Sequence, residues 1–179
     1  MPTIGVSLPV PEPWGSELQH YRIDLGDAAA RHIPTHVTLL PPHHVDDAEM
    51  AGIVDHLEQV ARGSAPFRVH LRGTGTFRPV SPVVFVGVVE GISQCEQLAG
   101  DVRRGPLAIE RAFPYHPHVT VAHHLPESRL DLAFTELQHY DAAFDVDQMW
   151  MYLHDDATGW TPDRAFPLCA AQGEARCGS

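Results

Sequence analysis

"THVTLLPP" at Thr35–Pro42 and "PHVTVAHH" at Pro117–His124 carry the same three letters, His-Val-Thr, in two distant parts of a 179-residue chain. Successive side chains of a strand point to opposite faces, so residues i and i+2 share a face. His36 and Thr38 therefore stand on one face of a predicted strand, with Val37 and Leu39 on the other. In the second copy His118, Thr120 and Ala122 share a face, backed by Val119 and Val121. Each copy thus reads as an aliphatic face for the core and an outward imidazole and hydroxyl. Two related lobes packed about a pseudo-twofold axis would bring these faces together across a cleft.

The surrounding pattern supplies such lobes. Thr3–Leu8 reads as an opening strand, and Trp14, Leu18, Tyr21 and Leu25 recur at helical spacing. Thr35–Leu40 is a strand stopped by Pro41-Pro42, and Asp46 with Glu49 forms a capping box before a stripe of Met50, Ile53, Val54, Leu57 and Val60. Phe67–Arg72 alternates as a half-buried strand, "GTGTFRPVSP" is loop, and Val83–Val89 suits a strand covered on both faces. Ser93 with Glu96 opens a helix bearing Cys95, Leu98 and Val102, and Ser128 caps one with Leu130, Phe134 and Leu137 on one side. Final strands fall near Gln148–Leu153 and Arg164–Cys169. Asp46 follows His36 by ten residues and Ser128 follows His118 by ten, so each motif is followed by a cap at the same step. The expectation is an α+β fold made of a duplicated unit: one domain over 1–170 with two pseudo-symmetric lobes, two antiparallel sheets lining a cleft, helices outside, and a flexible tail over 171–179.

Composition narrows the function. Twelve basic residues, all arginine, against twenty-three acidic ones leave a net charge of −11. That field repels long polyanions, so duplex nucleic acid is excluded as a partner, whereas a small anion in a local cationic pocket is not. Three cysteines (Cys95, Cys169, Cys177) without a CxxC pair argue against a disulfide framework and for a reducing compartment. No signal-peptide pattern and no run of about 20 apolar residues is present, so the expectation is a cytoplasmic protein with no membrane partner. Oligomeric state is left open.

Two imidazoles with two hydroxyls suit phosphodiester chemistry. A neutral histidine takes a proton from water or a hydroxyl, a protonated one gives a proton to the leaving alkoxide, and a reference pKa of about 6.5 makes both forms accessible. Thr38 and Thr120 can donate hydrogen bonds to non-bridging phosphoryl oxygens. No metal and no cofactor is required by that scheme.

The paired "HVTL" and "HVTV", with "FRPVSPVVFVGV" between them and "FPYHPHVTVAHHL" around the second, resemble the two His-x-Thr/Ser signatures of the two-histidine phosphoesterase superfamily, in particular its RNA 2′,5′-ligase-like and cyclic phosphodiesterase members. The resemblance implies a bilobal α+β fold, His36 and His118 as the catalytic pair, and Thr38 and Thr120 as phosphate holders. It implies cleavage of 2′,3′-cyclic phosphates or 2′,5′-linked diesters, or reversible 2′,5′ ligation. Many RNA-acting members carry a basic residue just after the second motif. This chain has Ala122-His123-His124 there, which points to a small cyclic nucleotide or an RNA terminal phosphate as partner.

Three further residues are candidate substrate contacts: Arg78 for a phosphate, and Phe77 and Tyr115 for stacking on a base. Two other readings compete. One is a non-catalytic module that binds a nucleotide or RNA-end phosphate. The other is a zinc hydrolase in which His116 and His118 are joined by His123 or His124.

Overall fold

The computed structural model describes residues 2–110 and 112–170. Eight strands form one continuous, curled antiparallel sheet in the order β6-β3-β4-β5-β2-β1-β7-β8, with four α-helices packed on it. The strands are β1 (Thr3–Pro9), β2 (His36–His44), β3 (Phe67–Thr76), β4 (Val83–Glu90), β5 (His118–His123), β6 (Asp141–Val146), β7 (Gln148–Asp155) and β8 (Gly159–Pro167). The helices are α1 (Trp14–Leu25), α2 (Met50–Arg62), α3 (Ile92–Val102) and α4 (Glu127–Glu136). The α+β class holds. The expected two sheets are two four-stranded halves of one sheet, β6-β3-β4-β5 and β2-β1-β7-β8, joined where β5 meets β2.

Helix and strand chemistry explain the packing. On α1 the residues Leu18, Arg22 and Leu25 lie on the buried stripe, and α1 packs against β5. On α2 Ile53, Leu57 and Ala61 are buried, with Met50, Val54 and Val60 packed beside them. Helix α3 lies against β2 and α2, while α4 covers β3, β4 and β5. One apolar cluster runs through both half-sheets.

Several boundaries differ from the sequence reading. Strand β2 does not stop at Pro41-Pro42 but runs to His44, because its register with β1 is irregular across the prolines. A bulge lets a strand pass residues that have no N–H to donate. Strand β3 continues through the "GTGT" read as loop, pairing Gly75 with Phe85. A Cβ at Gly75 would lie 2.5 Å from the Phe85 ring, so glycine here makes room for an aromatic rather than marking a turn. Strand β6 is absent from the sequence reading, although Ala142, Phe144 and Val146 alternate inward as a half-buried strand should. Strand β8 begins at Gly159, earlier than Arg164.

The caps also differ. Gly91, in the left-handed region at φ 89°, precedes α3 in place of Ser93. Pro126 precedes α4, so Ser128 lies inside the helix, and Phe134 on that helix is 39% exposed. The equal ten-residue step therefore reaches a cap only in the first half, where the Asp46 N–H donates to Glu49 Oε2 at 3.4 Å. Cys95 is free and buried, whereas Cys169 is disulfide-bonded, against the expectation of reduced thiols. The 171–179 segment lies outside the described residues.

Thr35 fastens the start of β2 to α1: its Oγ1 donates to the Gly15 carbonyl at 2.7 Å in a buried setting. Replacing Thr35 with Val keeps the shape and removes that bond. The expected loss is about 0.5–1.5 kcal/mol of unfolding free energy, read from a urea midpoint at unchanged slope.

Candidate active site

Strands β2 and β5 are antiparallel, with Val37 directly opposite Val119. Both valines are buried, at 1% and 0% exposure, on the core side. Carrying this register one residue each way sets His36 opposite Thr120 and Thr38 opposite His118, all four on the face away from the core. Directly opposed side chains in such a pair have Cβ atoms about 4.5–5.5 Å apart, and diagonal ones about 7–8 Å. The two histidines occupy one diagonal of this square and the two threonines the other. The motifs are therefore neighbours on one sheet surface, not two faces confronting each other across a gap.

The imidazoles are held alike. Nδ1 of His36 lies 2.6 Å from the Pro34 carbonyl oxygen, and Nδ1 of His118 lies 2.7 Å from that of His116, each two residues upstream. A carbonyl oxygen only accepts, so Nδ1 must carry the proton and donate. The Nε2 atom of each neutral ring is thereby left as the base. Neither Nε2 nor either threonine hydroxyl has a protein hydrogen-bond partner among the described residues.

Burial is the main influence on both rings. Desolvation pushes the His36 pKa below its usual value, opposed by its bond to the Pro34 carbonyl and reinforced by the charge of Arg22. Desolvation likewise lowers that of His118, opposed by the His116 carbonyl and reinforced by the His116 and His36 rings.

A cleft of about 270 Å³ opens at three corners of this square, with His36, Thr38 and Thr120 in its wall, while His118 lies outside that wall. Ser7, Arg22, Tyr152 and Trp160 also line it, and the sequence reading gives none of them a role. Ser7 lies opposite Thr38 across the β1–β2 ladder and shares a hydrogen bond with Tyr152. Trp160 packs over Gly5, where a Cβ would come within 3.1 Å of its ring. Arg22 has a legible signal, since Leu18, Arg22 and Leu25 share one helical face. Trp160, in a turn-like stretch, has none.

The three candidate contacts fare differently. Phe77 stands beside His118, with ring centroids 4.9 Å apart and an edge-on geometry, and packs on Phe85 at 4.6 Å. Tyr115 is held at both its hydroxyl and its ring. Its hydroxyl donates to the Thr38 carbonyl at 2.8 Å and its ring lies under the Arg103 guanidinium, so it braces the segment before β5 against β2. Arg78 is committed elsewhere: its Nη1 donates to Glu127 Oε2 at 2.6 Å and Asp131 Oδ1 at 2.9 Å on α4.

His116, His118 and His123 or His124, the set read as a zinc site, are not gathered into one group. Among the described residues no three His, Cys, Asp or Glu side chains form a group able to hold a metal ion. No described helix is long and apolar enough to cross a membrane.

A curled antiparallel sheet presenting two His-x-Thr strands side by side defines a protein of the two-histidine phosphoesterase type. The family model of the 2′-5′ RNA ligase superfamily matches residues 9–158, and the chain belongs to that superfamily. A provisionally named phosphoesterase of Oceanobacillus iheyensis is 25% identical over 138 residues, 76% of this chain and 81% of that one. Another, from Halalkalibacterium halodurans, is 27% identical over 141 residues, 76% of this chain and 80% of that one. In fold, a Thermus thermophilus protein matches with a TM-score of 0.67 at 21% identity, over 95% of this chain and 99% of its own. E. coli LigT crystallised with NADP+ matches with a TM-score of 0.66 at 18% identity, over 93% of this chain and 97% of its own.

Two-bond ¹H–¹⁵N correlation spectra should show both His36 and His118 in the Nδ1–H tautomer when neutral. Each should titrate below about 6.5. Because the folded-state values lie below the unfolded one, native stability is full above about pH 6.5 and declines as pH falls beneath it. An Nε2–H tautomer, or a midpoint above the reference, contradicts the geometry.

Proposed function

We propose that this protein is a phosphodiesterase that hydrolyses a 2′,3′-cyclic phosphate or a related small nucleotide or RNA-end phosphodiester. The observation that carries the reading is the square of His36, Thr120, Thr38 and His118, with both rings fixed in the same tautomer. A phosphoryl group over the square would meet one Nε2 on the side of the attacking water and the other beside the leaving oxygen. One neutral histidine takes a proton as the water oxygen bonds to phosphorus. The protonated partner gives its proton to the ribose oxygen as the P–O bond breaks. The Thr38 and Thr120 hydroxyls donate to the non-bridging oxygens. The pair ends with its proton moved from one ring to the other, and the reverse sequence would form the diester. No step calls for a metal or cofactor.

Ligand class supports the same reading. Structures of E. coli LigT hold 3′-AMP and phosphate. The cleft of this chain offers two hydroxyls for a phosphate, and Tyr152 and Trp160 as apolar wall for the rest of a nucleotide.

The test is a panel of 2′,3′-cyclic nucleotides and 2′,5′-linked dinucleotides assayed with the unaltered chain and with His36→Ala and His118→Ala. Each substitution should lower kcat/KM by about 10²–10⁴-fold without loss of fold. The pH profile of kcat/KM should be a bell with its optimum on the acid side of about 6.5, since one ring must be neutral and the other protonated while burial lowers both. Tight phosphate binding with no turnover at any pH would identify a binding module instead. Turnover surviving the double substitution would remove the two histidines from the chemistry.

A further inference from the structure

Arg22 is a charge in an unfavourable place. It sits on the apolar stripe of α1 between Leu18 and Leu25, at 4% exposure, in a chain whose other arginines include well-solvated ones such as Arg62 and Arg104. Its partner Asp27 is as buried, and the pair is bonded through one edge of the guanidinium: Nε at 3.1 Å and Nη2 at 2.6 Å, both to Asp27 Oδ2. The other carboxylate oxygen, Oδ1, accepts the Ala29 N–H at 3.2 Å. Asp27 is therefore anchored to the backbone turn that follows α1, and it presents one fixed oxygen to the arginine. A buried ion pair of this kind gains little over well-packed apolar side chains, so stability alone does not account for it.

Arg22 also lines the cleft, and it is the one arginine in that wall, together with His36, Thr38, Thr120 and His123. Its Nη1 has no protein hydrogen-bond partner among the described residues. A guanidinium bound along one edge keeps its remaining donors in a rigid plane, suited to phosphate oxygens. The charge balance calls for such a group, since a net charge of −11 opposes the approach of any phosphate. Arg78, the cation proposed from sequence, is held on α4 and leaves the role open.

We propose that Arg22 is the cationic ligand of the phosphate in this cleft, donating to a non-bridging oxygen beside the Thr38 and Thr120 hydroxyls, and that Asp27 is the positioning residue that aims it. The assignment rests on the two-histidine reading for where the phosphate sits, but not on turnover. Arg22 supplies the compensating charge that the acidic surface withholds. Asp27 keeps the guanidinium from swinging into the apolar core and from pairing with the cleft histidines.

The probe is inorganic phosphate, titrated into the unaltered chain while the Arg22 side-chain Nε–H resonance and the His36 and His118 ring signals are followed. Arg22 should shift along the same saturation curve as the histidines. A paired variant, Arg22→Met with Asp27→Asn, removes the charge without stranding the carboxylate. With an unchanged near-ultraviolet circular dichroism spectrum it should bind phosphate about 10- to 100-fold more weakly. Arg22→Lys should recover part of that loss. Asp27→Asn alone should raise the phosphate Kd by a smaller factor and leave the histidine titrations in place. The proposal is overturned by an Arg22 resonance that stays still while the histidines saturate, by absence of saturable phosphate binding, or by a folded double variant that binds as the parent does. Should the double variant fail to fold, the resonance titration of the unaltered chain decides. Phosphate that grips Arg22 in a chain inactive on every diester of the panel would defeat the proposed activity and leave this assignment standing. Turnover that is indifferent to Arg22 would do the reverse.

Discussion

The pairing of Val37 with Val119 is the contact on which the site depends. Burying a valine side chain is worth roughly 1.5–3 kcal/mol, more than an exposed histidine or threonine gains by choosing a face. The two valines therefore decide which way the strands face, and His36, Thr38, His118 and Thr120 are displayed as a consequence. A slip of one residue by either strand would turn that strand's histidine and threonine into the core and expose its valine. The same contact joins the two half-sheets, so the apolar core and the reactive surface are set by one register.

Around that square desolvation is the main influence on both rings. The rings are buried enough to favour their neutral forms, and each is bonded to a carbonyl that partly offsets the effect. Phe77 and Phe85 wall the His118 side with apolar surface, while Ser7, Tyr152 and Trp160 extend the cleft on the His36 side. The buried Arg22–Asp27 pair stands in contrast to the net charge of −11 that the chain carries as a whole.

What the sequence made legible was local. A period of two assigned faces to His36 and Thr38, and helical spacing found α1 and α2, because these patterns arise from the geometry of a single element. Relations between elements were not legible in that way. The motifs lie side by side in one sheet rather than on opposing walls, and no spacing along the chain distinguishes those cases. Gly75 looked like loop chemistry because its reason, the Phe85 ring, arrives from another strand. Arg78 and Tyr115 were plausible contacts by residue type, yet Glu127, Asp131 and the Thr38 carbonyl claim their polar atoms. Arg22 escapes notice for the opposite reason: a helical charge is usually solvated, and only its place between Leu18 and Leu25 hints otherwise.

The two Nδ1 bonds end on backbone carbonyls, of Pro34 and His116, and not on side chains. A carbonyl is the one acceptor that no codon change can delete. The orientation of both rings is thus insulated from side-chain changes at positions 34 and 116, provided the path of the main chain is kept.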